Sequence, residues 1–324
     1  MKIQASIRRI FEEQYELNNL LLAEVSNTFL QKKDRRWHFE SRLKELPSFA
    51  VKLETGRVSD PARLEDFLAC ALVVPNTNDI KHAYNIVVEH FDVQYRRPAI
   101  DGETVKAANA FPFDDLRLYL KKKKDDTLPE TRYDDVVFEL QIKTFLQHAW
   151  GIATHDLNYK TDEISWSKDR IVAHLKAAVE HVELSLHEAK TLAASDLVNL
   201  TDPRTKRAME IVTVLKSHWQ REELPANIRG MADAIEQVLQ ALRISATDLN
   251  QMLESAKSSS GGSLPLNLSP YGTILQLLTA HHWGALNRVL SDDKTKFKIL
   301  VTPEMDLPKG FPSAKAMKKL VRLS

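Results

Sequence analysis

Between Val136 and Lys143 the chain alternates its side chains by a strict period of two, and that alternation restricts the segment to a half-buried strand. Val136, Phe138, Leu140 and Ile142 fall on one face and Val137, Glu139, Gln141 and Lys143 on the other, because successive strand residues point to opposite sides of a sheet. The apolar set anchors a core. The other set turns a carboxylate, an amide and an ammonium toward one side, where they line a cleft or face solvent. Spacing alone leaves both readings open.

Leu68–Val74 is apolar on both faces, the pattern of a strand covered from both sides. Pro75–Asn78 reads as a turn with a polar helix cap, and Ile80, Ala83, Tyr84, Val87 and Phe91 then recur at helical spacing. The two segments make a compact strand–helix unit. Leu116–Leu120 is a further strand, and the run Lys121–Asp126 is too polar for a core and reads as a hairpin rim or loop. Upstream, Ile7, Phe11, Leu21, Val25 and Phe29 give an amphipathic helix. Trp37–Leu46 is read as a second helix, with an extended Phe49–Leu53 after it.

Past the sheet the pattern turns helical. Apolar stripes at Ile171, Leu175, Ala178, Val182 and Leu186, at Ile211, Val214 and Leu215, and at Ile235, Val238, Leu239 and Leu242 read as packing surfaces. Ser258–Ser263 is a flexible segment, Ile274–Leu278 a helix and Phe297–Val301 a short strand. A boundary near residue 200 divides the 324 residues into 1–200 and a mainly helical accessory or regulatory region, 201–324. The length has room for two such domains.

Composition excludes several classes of protein. There is no apolar run of the about 18 residues that a membrane helix needs. Residues Met1–Arg8 have no secretory pattern, so a cytoplasmic location is expected. A single cysteine, Cys70, rules out an intrachain disulfide and any cysteine-cluster metal site. A net charge of +1 gives no general attraction to nucleic acid. The local basic runs Lys32–Lys33, Arg35–Arg36 and Lys121–Lys124 are either solvated surface or an anion-facing rim.

Two acids stand apart from this background. Asp66 and Glu139 offer hard oxygens of the kind Mg²⁺ takes when it also carries substrate phosphates. Arg42, Lys44 and Lys52, ahead of Asp66, could neutralise phosphate charge, the arginine as a fork and the lysines as mobile point charges. Electrostatic support and alignment are most of what such chemistry asks of a protein.

Three motifs in this order carry a resemblance. Ser41–Leu53, containing Arg42, Lys44, Ser48 and Lys52, resembles the opening motif of RelA/SpoT-type alarmone synthetase domains. Leu64–Val74 resembles their metal-aspartate strand. Glu139–Thr144, with His148–Ala149–Trp150, His155 and Tyr159–Lys160, resembles their terminal catalytic motif. The likeness covers roughly residues 35–165, less than half of the chain. It implies an α/β fold, a mixed-sheet nucleotidyltransferase-like synthetase domain with flanking helices, followed by the mainly helical C-terminal region. It further implies Mg²⁺-dependent transfer of a pyrophosphoryl group from ATP to the ribose 3′-hydroxyl of GDP or GTP.

Carried over position by position, the resemblance gives Arg42, Lys44 and Lys52 to the ATP phosphates and Ser48 to the shape of that pocket. Asp66 and Glu139 become the metal ligands, with Glu139 also orienting or activating the acceptor hydroxyl. Gln141 and Lys143 support the cleft, and His155 and Lys160 line the donor pocket or fix its helix. Ala69 and Ala71 depart from the family, which has a glycine and then an arginine there. Phe113 and Arg117 replace the acceptor-recognition residues, so that Phe113 would stack a base or pack in a core, and Arg117 would meet phosphate or another acceptor. Two alternatives follow from these departures: transfer to the 3′ end of tRNA, as in a toxin-like branch, and a catalytically inactive nucleotide-sensing or interaction module. Leu264–Tyr271 and the basic tail Lys315, Lys318, Lys319 and Arg322 offer a surface for a protein regulator, or simply pack and face solvent.

Overall fold

The computed structural model describes residues 1–58, 60–61, 63–100, 116–124, 127, 129–158, 165–196, 198, 200–309 and 311–323, with the backbone alone at 155–158. The chain forms two compact units, Met1–Val198 and Asn199–Ser324.

The first unit is built on a five-stranded sheet. Its strands are β1 (His38–Leu43), β2 (Leu68–Val74), β3 (Phe91–Arg97), β4 (Leu116–Lys122) and β5 (Phe138–Thr144), in the spatial order β1-β2-β5-β4-β3. β2 and β5 run parallel at the centre, and the remaining neighbours are antiparallel. The apolar face of this mixed sheet carries Leu68, Cys70, Leu72 and Val74 from β2, Leu118 and Leu120 from β4, and Phe138, Leu140 and Ile142 from β5. Helix α1 (Ala5–Lys32) closes that core with Leu21, Val25 and Phe29, and α3 (Ile80–His90) with Ala83 and Val87. α2 (Leu46–Glu54) forms a smaller cluster in which Phe49 and Ala50 meet Ile7, Leu64 and Phe67. After β5, α4 (Phe145–Asn158) packs against α5 (Trp166–His187), and a short α6 (Ala189–Ala194) follows.

Four expectations are corrected. Residues 38–43 are a strand and 46–54 a helix, the reverse of the sequence reading. His38–Leu43 alternates exposed and half-buried residues as the edge partner of β2, and Pro47 lies in the first turn of α2, where its missing N–H costs nothing. Phe91 does not continue α3: it opens β3, since helix passes to strand at His90 with no glycine or proline between them. Lys121 and Lys122 belong to β4 rather than to a loop. Finally, the stripe Ile171, Leu175, Val182 and Leu186 on α5 is exposed, while that helix buries Val172 and Glu183. Glu183 accepts a hydrogen bond from the Thr144 hydroxyl at the end of β5. The side of α5 that carries Val172 and Glu183 therefore faces inward.

The second unit consists of α7 (Pro203–His218), α8 (Ile228–Leu242), α9 (Ala246–Ser259) and α10 (Pro270–Ser291), with a small parallel pair, β6 (Ile299–Val301) and β7 (Leu320–Arg322). Its core contains the expected Ile211, Val214, Leu215, Ile235, Val238, Leu239, Ile274 and Leu278. Asp202 caps α7, and Ser245 with Asp248 forms a capping box on α9. Part of the basic tail is built into this unit: Lys319 donates to the Thr295 carbonyl, and Arg322 ends β7.

Candidate active site

The pairing register sets rows of side chains across the face of the sheet opposite the apolar core. In one row Arg42 stands opposite Ala69, Ala69 opposite Glu139, Glu139 opposite Tyr119 and Tyr119 opposite Tyr95. In the next row Glu40, Ala71, Gln141, Arg117 and Arg97 follow in the same way. Residues paired across strands share a face. The methyl groups of Ala69 and Ala71 leave space above the centre of the sheet. A cleft of about 430 Å³ occupies it, lined by Glu40, Arg42, Ala69, Ala71, Gln141 and Lys143 from the sheet and by His148 from α4.

Glu139 is 6% exposed. Its carboxylate accepts one hydrogen bond from the Tyr119 hydroxyl at 2.9 Å and another from Gln141 Nε2 at 2.6 Å. Neither donor carries a charge. Burial, together with the neighbouring Glu139 charge and the bond to it, pushes the Tyr119 phenol up to about 12. The Tyr119 ring stacks on Tyr95 at 4.2 Å, with the Arg97 guanidinium over both rings. The Tyr95 hydroxyl in turn donates to Glu65.

Asp66 lies in the turn that leads into β2, not in the strand itself. One of its oxygens accepts from Lys44 Nζ at 2.9 Å and from Lys52 Nζ at 2.8 Å. Lys44 follows β1 directly and is fixed by its own N–H, which donates to the Phe67 carbonyl at 2.8 Å. Burial alone would raise the Asp66 pKa, but the hydrogen bonds and charges of Lys52 and Lys44 outweigh it and hold the carboxyl below the ordinary carboxylate range. The second Asp66 oxygen is buried and has no hydrogen-bond partner.

The expected residues therefore separate into two groups. Lys44, Lys52 and Asp66 form one triad, and Glu139 with Gln141 belongs to the other network. Arg42, Gln141 and Lys143 line the cleft, and Arg117 is paired with Gln141 in the sheet. Ser48 is exposed on α2, one turn before Lys52. His155 lies on the helical backbone of α4, with its side chain outside the described residues, as are Phe113 and Lys160. The basic run is engaged: Lys121 pairs with Asp135, Lys122 with Glu24, Lys124 with Glu130, and Lys123 donates to the carbonyls of Val88 and Glu89.

Sequence reasoning missed Tyr119, Tyr95 and Arg97. Tyr119 sat inside a recognised strand, but its place opposite Glu139 depends on the pairing of β4 with β5, which is a property of the fold and not of either segment. Tyr95 and Arg97 lie on β3, which was not foreseen as a strand.

The Met1–Val198 unit is thus a mixed α/β domain with a charged cleft over its central strands. Residues 41–164 match the family model described as the region found in RelA / SpoT proteins, and this match spans all three of the motifs that carried the resemblance. Among solved structures, the small alarmone synthetase 1 from Bacillus subtilis is similar at 14% identity and a TM-score of 0.42, over 57% of this chain and 94% of that one. The same enzyme bound to its product pppGpp gives 17% and 0.39, over 59% and 96%. A GTP pyrophosphokinase family protein from Streptococcus pneumoniae gives 20% and 0.37, over 60% and 95%. No curated protein matches significantly. No helix among the described residues is long and apolar enough to cross a membrane.

Proposed function

We propose that the first unit transfers a pyrophosphoryl group from ATP to the ribose 3′-hydroxyl of GDP, GTP or a related nucleotide. The observation that carries this reading is Glu139, a buried carboxylate held by two neutral donors beside the cleft. In the proposed reaction the acceptor oxygen attacks the β-phosphorus of ATP. A new P–O bond forms, the bond from the β-phosphorus to the α,β-bridging oxygen breaks, and AMP leaves. The acceptor proton passes to Glu139, and Tyr119 and Gln141 keep that carboxylate oriented. Arg42, Lys44 and Lys52 hold the donor phosphates, with Ser48, His155 and Lys160 completing the donor side. Gln141, Lys143, Arg117 and Phe113 support the acceptor side.

The residues present fit a divalent ion. Asp66 keeps a buried oxygen without a partner, and each Glu139 oxygen accepts one hydrogen bond, which leaves lone-pair capacity on both. Asp66 and Glu139 would hold Mg²⁺, which supplies Lewis-acid neutralisation of phosphate charge. We further propose that the reaction is cytoplasmic, and that the unit Asn199–Ser324, which lies outside the matched region, regulates the first unit or receives a protein partner.

The test follows γ-phosphate-labelled ATP with purified protein and Mg²⁺, offering GDP, GTP, ADP, ATP and deacylated tRNA separately. Label on a small nucleotide, lost in E139Q, supports the proposal. Label on tRNA selects the RNA-modifying alternative. No Glu139-dependent product with any acceptor, from folded protein, selects a binding module.

A further inference from the structure

We propose that His38, Glu40 and His148 form a binding site for a transition-metal ion of the Zn²⁺ class, separate from the carboxylates Asp66 and Glu139. One ligand atom from each residue lies within 4.8 Å of the other two. Glu40 Oε1 is 3.7 Å from His148 Nδ1, and the His38 and His148 rings are 5.9 Å apart. His38 and Glu40 are alternate residues of β1 and so share one face. His148 comes to the same place from the beginning of α4. Two regular elements, rather than loops, therefore present the three donors.

The donor set decides the class of ion. Imidazole nitrogen suits Zn²⁺, Ni²⁺ and Cu²⁺, whereas Mg²⁺ takes oxygen. Two histidines and one carboxylate, with a fourth position left for water or ligand, is the stoichiometry of open zinc sites. Glu40 and His148 also line the cleft, so an ion held here adds a positive centre to the cleft wall, and a phosphate or carboxylate oxygen could take its fourth position. Arg42 and Lys143 line the same cleft. Their charge opposes a bare dication and favours one that carries an anion. An ion pair between Glu40 and a protonated His148 would account for two of the three residues but not for the convergence of His38.

This inference does not rest on the proposed transfer, since binding is read spectroscopically. The full chain, stripped with a chelator, is titrated with Co²⁺. The expected result, with excess Mg²⁺ present to fill the oxygen site, is the visible absorption of a tetrahedral site that saturates at one equivalent and is displaced by Zn²⁺. H38Q, E40Q and H148Q should each weaken binding by about tenfold or more, and E16Q, at an exposed ion pair with Arg132, should leave it unchanged. Circular dichroism checks that each variant is folded. The proposal is overturned if Co²⁺ shows no saturable band with Mg²⁺ present, or if a folded H38Q/H148Q double variant binds as tightly as the native chain.

Discussion

Asp66 and Glu139 are carboxylates of one domain, and they are held by opposite means. Asp66 meets two ammonium groups at 2.8 and 2.9 Å and keeps a second oxygen free of partners. Glu139 meets a phenol and an amide and is more deeply buried. In the first group positive charge exceeds negative, so the triad stays attractive to an incoming phosphate even with Asp66 ionised. In the second, neutral dipoles orient a charge without cancelling it, and the carboxylate remains able to receive a proton or a cation. The two groups differ as the donor and acceptor ends of the proposed transfer would have to differ.

The largest effect expected from breaking this contrast is at Glu139. Glu139→Gln keeps the volume and removes the charge, and transfer should fall by about a hundredfold or more, the range of a lost general base. The amide also confronts two groups that were donating, at a cost to stability of about 1 kcal/mol. Label transfer and urea unfolding on the same preparation measure both effects. Wild-type rates in E139Q would remove Glu139 from the chemistry.

The next effect concerns the lysines. Replacing both Lys44 and Lys52 by Met leaves a partly buried carboxylate with no cation. Because these side chains are 16–31% exposed, solvent screens part of the loss, and about 1–2 kcal/mol of destabilisation is expected. Adding Asp66→Asn to the double variant should recover most of it. If the triple variant unfolds at the same urea concentration as the double, the lysines stabilise the domain by packing and not by pairing.

A smaller effect is expected at Tyr119→Phe, which removes one donor from Glu139 and keeps the ring stacked on Tyr95. Stability should drop by about 1 kcal/mol and kcat by about tenfold, with little change in KM, since the group is proposed to position the base and not the substrate. An unchanged kcat in folded Y119F would assign Tyr119 a packing role alone.

Much of this contrast was visible in the chain, and some could not have been. The alternation around Glu139 and the double-faced apolar run Leu68–Val74 encode the two central strands directly, because burial on one or both faces leaves a pattern in a single segment. β1 was legible only weakly. In His38–Leu43 only Phe39 and Leu43 are apolar, an edge strand needs no more than that, and Trp37 just ahead made the segment resemble a helix. The α5 stripe misled for the opposite reason: its spacing is helical, but the side turned inward carries Val172 and Glu183, the latter bonded to Thr144. Lys44, Lys52 and Asp66 were singled out by motif, yet their hydrogen bonding to one another follows from α2 packing beside the turn ahead of β2. Tyr119 was hidden altogether, since register between distant strands has no local trace.

The smallest effect separates the two groups by pH. The folded-state pKa of Asp66 lies below the ordinary carboxylate value of about 3.9. Near that value the unfolded chain binds more protons than the native one, so Asp66 contributes stability that is fully present above it and is lost as pH falls through the depressed pKa. Tyr119 has the opposite sign. Its folded pKa is raised from 10.0 to about 12, the native state keeps a proton that the unfolded chain releases, and its contribution is present below about pH 10 and lost as pH rises toward 12. Thermal unfolding of the native chain, D66N and Y119F across both ranges should show D66N flattening only the acid slope and Y119F flattening the alkaline one. If D66N also flattened the alkaline slope, the two carboxylate groups would be coupled, and the division between a donor end and an acceptor end would give way to a single network.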